Sequence, residues 1–184
     1  MHLRIFLVAL TAGFSGAAAA ADSIDINLND DAIQAIYATN WRTAEFNVGL
    51  LTNGDKDNWA ASMGLLALGE KQTGSSRIEG GLGGKLYFAD VADQDVLALG
   101  LGGQFRIFPG NGPIGLGGYL YYAPDVVTGM DGEHFWEAGA RAEFEMVRNS
   151  ASLYVGYRKM RADLDIGRNV TVDSGWHAGV KITF

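Results

Sequence analysis

Residues 135 to 146 read Phe135-Trp136-Glu137-Ala138-Gly139-Ala140-Arg141-Ala142-Glu143-Phe144-Glu145-Met146, and the fold turns on their period. Trp136, Ala138, Ala140, Ala142, Phe144 and Met146 fall on one side of a two-residue repeat; Glu137, Gly139, Arg141, Glu143 and Glu145 fall on the other. A helix would scatter both sets around its axis, whereas a strand points successive side chains to opposite faces. One face is therefore wholly apolar and the other carries four charges.

The same alternation recurs on either side. Downstream, Val172, Ser174, Trp176, Ala178, Val180, Ile182 and Phe184 interleave with Asp173, Gly175, His177, Gly179, Lys181 and Thr183. Upstream, Ile78, Leu82, Leu86 and Phe88 oppose Glu79, Lys85 and Tyr87, and Leu97, Leu99, Leu101, Phe105 and Ile107 oppose Gln104 and Arg106. Turn-rich segments near residues 53–55, 74–76, 92–93, 109–112, 125–132, 148–150 and 167–169 bound eight strands between residues 43 and 184. Two shorter candidates, residues 23–28 and 32–38, precede them, so ten strands are favoured over eight. Either count is even, which brings the first and last strands together antiparallel and closes the sheet without edges.

His2 and Arg4 precede an apolar stretch that ends in small residues 17–21, the pattern of a secretory signal peptide cut before Asp22. Residues 22–184 would then form one β-barrel domain. Losing residues 1–21 removes Arg4 and no acid, leaving 13 basic against 21 acidic residues and a formal charge of −8. Such a surface does not suit nucleic acid. There is no cysteine, hence no disulfide framework or thiolate site. Beyond residue 21 no apolar run reaches the length of a membrane helix, and a closed barrel is the other structure that satisfies its backbone in a bilayer.

Alternation alone does not say which face is inside, because a soluble sandwich shows it too. Strands of 9 to 11 residues or more are long enough to cross hydrocarbon at a tilt. Tight connections at 109–112 and 148–150 alternate with longer polar ones at 122–133 and 163–171, as in outer-membrane barrels, with 69–76 as an exception. Trp59, Phe88, Phe108, Tyr122, Trp136, Phe144 and Trp176 lie toward strand ends and are girdle candidates. The ending from His177 to Phe184, with Gly179, Ile182 and the aromatic Phe184, resembles the C-terminal signal recognised by the barrel-assembly machinery.

The run Ser23-Ile24-Asp25-Ile26-Asn27-Leu28, the glycine-rich strand around Gly80-Gly81-Leu82-Gly83-Gly84-Lys85-Leu86 and the ending from Gly175 to Phe184 together resemble the YfaZ-like family of predicted outer-membrane proteins. The resemblance implies a barrel in the bacterial outer membrane and carries no activity or catalytic residues.

With the charged faces inward, the lumen gathers Glu45, Glu79, Lys85, Arg106, Glu137, Arg141, Glu143, Glu145, Arg158, Asp173, His177 and Lys181. In so narrow a barrel these side chains largely fill the interior, and their mixed signs permit pairing. The expected role is structural, or that of a narrow channel for small solutes if inward glycines such as Gly49, Gly83, Gly102, Gly117, Gly139 and Gly179 leave room for water. A lipid-acting enzyme is the competing class, with only His134 and His177 left after residue 21 and no G-x-S-x-G elbow. Surface binding through acidic loops is a further alternative, bridged by divalent cations to lipopolysaccharide. No cofactor or metal site is expected, and the expected partners are outer-membrane lipid, including lipopolysaccharide, and the assembly machinery.

Overall fold

The computed structural model describes residues 21–54, 58–92, 94–164 and 167–184. All of the segment that reads as a signal peptide, except Ala21, lies outside the described residues. Eleven strands follow in order: β1 (Ala21–Leu28), β2 (Ala32–Trp41), β3 (Ala44–Asn53), β4 (Asn58–Thr73), β5 (Ser76–Val91), β6 (Gln94–Phe108), β7 (Ile114–Ala123), β8 (Thr128–Met130), β9 (Gly132–Val147), β10 (Ala151–Leu164) and β11 (Arg168–Thr183). Ten of them form an antiparallel wall in which sequence neighbours are sheet neighbours. The wall closes where β1 meets β11, with Ser23 opposite Thr183 and Leu28 opposite Ala178. The favoured count of ten is therefore the observed one. The three-residue β8 adds a short pairing along the start of β6, Val96 opposite Met130.

β1 begins and β11 finishes at one end of the barrel, the lower end below. One connection at each end is shorter than its composition suggests. The expected long turn at 69–76 is only Gly74-Ser75, with Gly74 at φ +61°. β4 loses its β3 partner after Ala67 and projects beyond it as a hairpin with β5, so Glu70, Lys71 and Gln72 meet water while still in a strand. The expected loop at 163–171 shrinks likewise, because β10 runs to Leu164 and β11 starts at Arg168. The long upper connection after β7 holds a 3-10 turn, Asp125–Val127, before β8.

The outward face is apolar on every long wall strand. Ile26, Ile33, Leu50, Leu65, Leu82, Leu101, Leu120, Phe144, Val155 and Ile182 are between 42 and 73% exposed, and they come from ten different strands. A soluble monomer rarely shows a contiguous apolar patch beyond a few hundred square ångströms, and this one encircles the molecule. Aromatic side chains flank it. Near the upper end, Trp59 packs on Phe88 at 5.4 Å and Tyr157 on Trp176 at 5.7 Å. Trp41, Phe46, Phe105 and Phe144 stand outward nearer the lower end.

Two outward assignments are corrected. Phe108 is fully buried, with the Arg77 guanidinium 4.1 Å over its ring. It shares the register of Gln104 and Arg106, so the two-residue period itself carries it inside. Val172 leaves the outer face because of a β-bulge: Met160 opposes Asp173 but Arg161 opposes Thr171, and the extra residue turns inward.

Candidate functional site

The inward side chains form three layers. The uppermost is apolar: Leu51, Tyr87, Val91, Val96, Phe135, Met160, Leu164 and Val172 are at most 2% exposed and belong to one packed cluster. Tyr87 and Phe135 meet ring to ring at 4.6 Å in its floor. Several of these residues lie on strands whose two faces are both apolar there, which hid them from a reading based on contrast.

Below this plug runs a layer of ion pairs and amides. Lys85 Nζ contacts Glu137 Oε2 at 3.1 Å, and the Tyr87 hydroxyl donates to the same oxygen at 2.6 Å. Arg158 donates through Nε to Asp173 Oδ2 at 2.8 Å and through Nη1 to Asn27 Oδ1 at 2.9 Å and to Gln34. Asn29 and Asn53 donate to the other Asp173 oxygen at 3.0 and 3.4 Å. Tyr154 donates to Asp25, whose carboxylate also lies 3.3 Å from Arg141. The His177 ring stands edge-on to Tyr154 at 5.8 Å.

The lowest layer is a chain of alternating charge. Arg141 lies 3.4 Å from Glu143, Glu143 lies 3.8 Å from Arg106, and Arg106 contacts Glu79 at 2.5 Å. Arg77 then joins Glu79 at 2.9 Å to Glu145 at 2.8 Å. Glu45 accepts from Asn47 at 3.0 Å and from Gln104 at 3.4 Å. Cavities remain among the described residues, including one of about 110 Å³ at mid-level beside Asp25, Glu137, Arg141, Tyr154 and His177, and one of about 430 Å³ at the lower end, bordered by Arg42, Glu45, Glu79, Arg106, Glu145 and Lys181. Charges this deep are tolerated where an opposite charge or a hydrogen-bonding amide stands beside them, as for Lys85, Arg158, Arg141 and Arg77.

Glu79, Lys85, Arg106, Glu137, Arg141, Glu143, Glu145, Arg158, Asp173, His177 and Lys181 thus all project into the barrel. The network also takes in Asp25, Asn27, Gln34, Arg77 and Tyr154, which sequence reasoning left out. A signal existed for the first two, since Ser23, Asp25 and Asn27 alternate with Ile24, Ile26 and Leu28. Of the residues that read as a C-terminal signal, Gly179 faces inward under Tyr154, while Ile182 and Phe184 face outward, 50 and 67% exposed. The Phe184 backbone exchanges hydrogen bonds of 2.8 and 2.9 Å with Asp22 and ties the seam.

The inward glycines do not make a water path. A Cβ on Gly139 would fall 2.6 Å from the Tyr119 ring, and one on Gly179 would fall 2.4 Å from the Tyr154 ring. These rings occupy the space opened by the glycines directly across the strand, Tyr119 opposite Gly139 and Tyr154 opposite Gly179. His134 packs beside Tyr122 at 6.3 Å near the upper rim and His177 lies inside, so the wall separates the two histidines. Among the described residues, no three His, Asp or Glu side chains converge as a metal would require.

Compared with known proteins, residues 3–184 match the family model described as YfaZ precursor. Among solved structures, the outer membrane channel DcaP of Acinetobacter baumannii is similar at a TM-score of 0.39 and 11% identity, over 87% of this chain and 54% of that one. The chain spans about half the length of that channel. No curated protein matches it.

Proposed function

This chain belongs to the YfaZ precursor family, and from that premise we propose that it is exported, enters the bacterial outer membrane with both strand termini in the periplasm, and serves there as a scaffold closed to through-flow. The observation that carries the closure is the apolar plug, in which Phe135 and Val96 have no exposure and Tyr87 and Leu164 have 1% each. An ion that crossed the upper half would have to part these side chains, and the charged layers beneath are already paired with one another. The encircling apolar belt supports the bilayer setting, since a wall of alternating faces satisfies its backbone laterally and offers lipid only hydrocarbon. The C-terminal strand, ending Ile182-Thr183-Phe184, is the segment proposed to meet the assembly machinery.

Planar-bilayer recording of the purified, refolded barrel tests the closure. No steady current is expected from the wild type or from Glu143→Ala and Arg141→Ala; a steady current that these substitutions alter would replace the scaffold by a pore.

The bilayer setting has its own test. Ala140 lies midway along β9 on the outward face, opposite Tyr157. Ala140→Arg is expected to cost about 2–4 kcal/mol in vesicles, the loss for a cation at mid-bilayer depth. Urea unfolding that leaves Ala140→Arg as stable as the wild type would remove the outward face from lipid.

A further inference from the structure

The cations of the barrel are unevenly placed. Among the described residues, Arg77, Lys85, Arg106, Arg141, Arg158 and Lys181 project inward, while Arg42, Lys71 and Arg148 sit at or near lower turns. The remaining three, Lys159, Arg161 and Arg168, all belong to the upper part of the β10–β11 hairpin. Elsewhere the upper rim carries Asp90, Asp95, Asp125, Asp131 and Glu133. Those are all acidic, whereas cations still exceed acids by one on this hairpin with Asp163 and Asp165 counted.

Its position along the wall is as informative as its charge. Outward on β10, Leu153 and Val155 are followed by Tyr157, then Lys159, Arg161 and Asp163. On β11 the order toward the same end is Ala178, Trp176 and Ser174, and on β9 it is Ala138, Trp136 and His134. Tyr157 stands opposite Trp176, and Arg161 stands opposite Trp136. Three adjacent strands therefore pass from aliphatic through aromatic to polar side chains, charged on β10, in the order in which a leaflet passes from chains to headgroups. Lys159 Nζ rests 5.8 Å from the Trp136 ring centroid, which holds the ammonium at the aromatic level. Asp163 pairs with Arg161 Nε at 3.3 Å, and Asn169 bridges the two side chains at 2.6 Å to each. That pair orients the guanidinium, and among the described residues Lys159 and Arg168 have no ion pair.

We propose that the upper β10–β11 hairpin docks the phosphorylated headgroup of an outer-leaflet lipid, of the lipopolysaccharide class, with its acyl chains along Val155 and Trp176, its phosphate against Lys159 and Arg161 on the outer face, and Arg168 reaching it from the exposed rim above, where it stands opposite Leu164. Guanidinium and ammonium groups bind phosphate by charge-assisted hydrogen bonds, and a cluster of them at membrane height selects an anionic headgroup. The proposal rests on the bilayer reading above and adds the lipid that one side of the barrel selects.

The test uses the barrel folded in phosphatidylethanolamine vesicles with and without lipopolysaccharide, its unfolding midpoint read from the heat-modifiable band. Lipopolysaccharide is expected to raise the midpoint by several degrees in the wild type and in the lower-end control Lys71→Gln/Arg148→Gln. The rise should vanish in Lys159→Gln/Arg168→Gln and with dephosphorylated lipopolysaccharide, and inorganic phosphate alone should not produce it. A rise that survives in Lys159→Gln/Arg168→Gln or with the dephosphorylated lipid overturns the site. A folded wild type that shows no rise, or a rise with inorganic phosphate, overturns it as well. Failure of the bilayer reading looks different, because no folded band then forms in either vesicle.

Discussion

Arg158→Met is expected to lower the stability of the folded barrel by about 3–5 kcal/mol, the range for removing one partner of a buried ion pair. The side chain is 1% exposed, and its guanidinium meets Asp173, Asn27 and Gln34, residues from β1, β2 and β11 that approach one another only when the wall is closed. Methionine fills similar space but leaves the Asp173 carboxylate, itself 1% exposed, with only the amides of Asn29 and Asn53. An anion held by neutral donors alone in the interior has lost its solvation without recovering it from a countercharge. Converting both residues, Arg158→Met with Asp173→Leu, should recover most of the loss, because no buried charge is then stranded. Urea unfolding in vesicles reads both variants. A single substitution that costs less than about 1 kcal/mol would mean that water reaches this layer, since hydration then replaces the lost partner.

That layer shows what the sequence makes legible. Where one face is charged and the other apolar, as from Trp136 to Met146, the two-residue period assigns every side chain, and the structure agrees along that whole stretch. Where both faces are apolar the contrast disappears. Ala98 and Tyr87 fall on the inner register of their strands, but Val91 and Val96 stand beside a turn, where the pattern assigns no face, so the plug they form with Ala89 does not stand out in the sequence. The bulge at Val172 is invisible for a different reason: one inserted residue shifts the face of everything beyond it without changing composition. Arg77 was lost in a segment that reads as a turn, although it is the cation that joins Glu79 to Glu145 and caps the Phe108 ring. Local pattern specifies strands and faces; the pairing of Asp25 with Arg141, or of Lys85 with Glu137, depends on which strands end up across the lumen, and that is set by closure.

Gly83→Ala and Gly102→Ala should each cost about 3 kcal/mol, the upper part of the usual range for overpacking. The two glycines oppose one another in the β5–β6 pairing. A Cβ on Gly83 would fall 2.0 Å from the Leu65 carbonyl oxygen in β4, and one on Gly102 would fall 1.9 Å from the Leu120 carbonyl oxygen in β7. The obstacle in both cases is backbone of the adjoining strand, which no rotamer change can move aside. At both positions the adjoining strand's backbone comes so close that only glycine fits, one on either side of the β5–β6 hairpin. Gly139→Ala should cost less than either, because its obstacle is the Tyr119 ring, which can turn away. Gly69→Ala serves as an outward control: on the register of Leu65 and past the end of the β3 pairing, it has nothing within 4 Å to meet and should be close to neutral. The series separates two roles for inward glycine in a narrow barrel. If these positions lined a water path, a methyl group at 83 or 102 would displace solvent at little cost, and all four variants would unfold together. If they are the close approaches that let ten strands close around a packed interior, the losses should rank with the backbone clash, in the order 102 and 83, then 139, then 69.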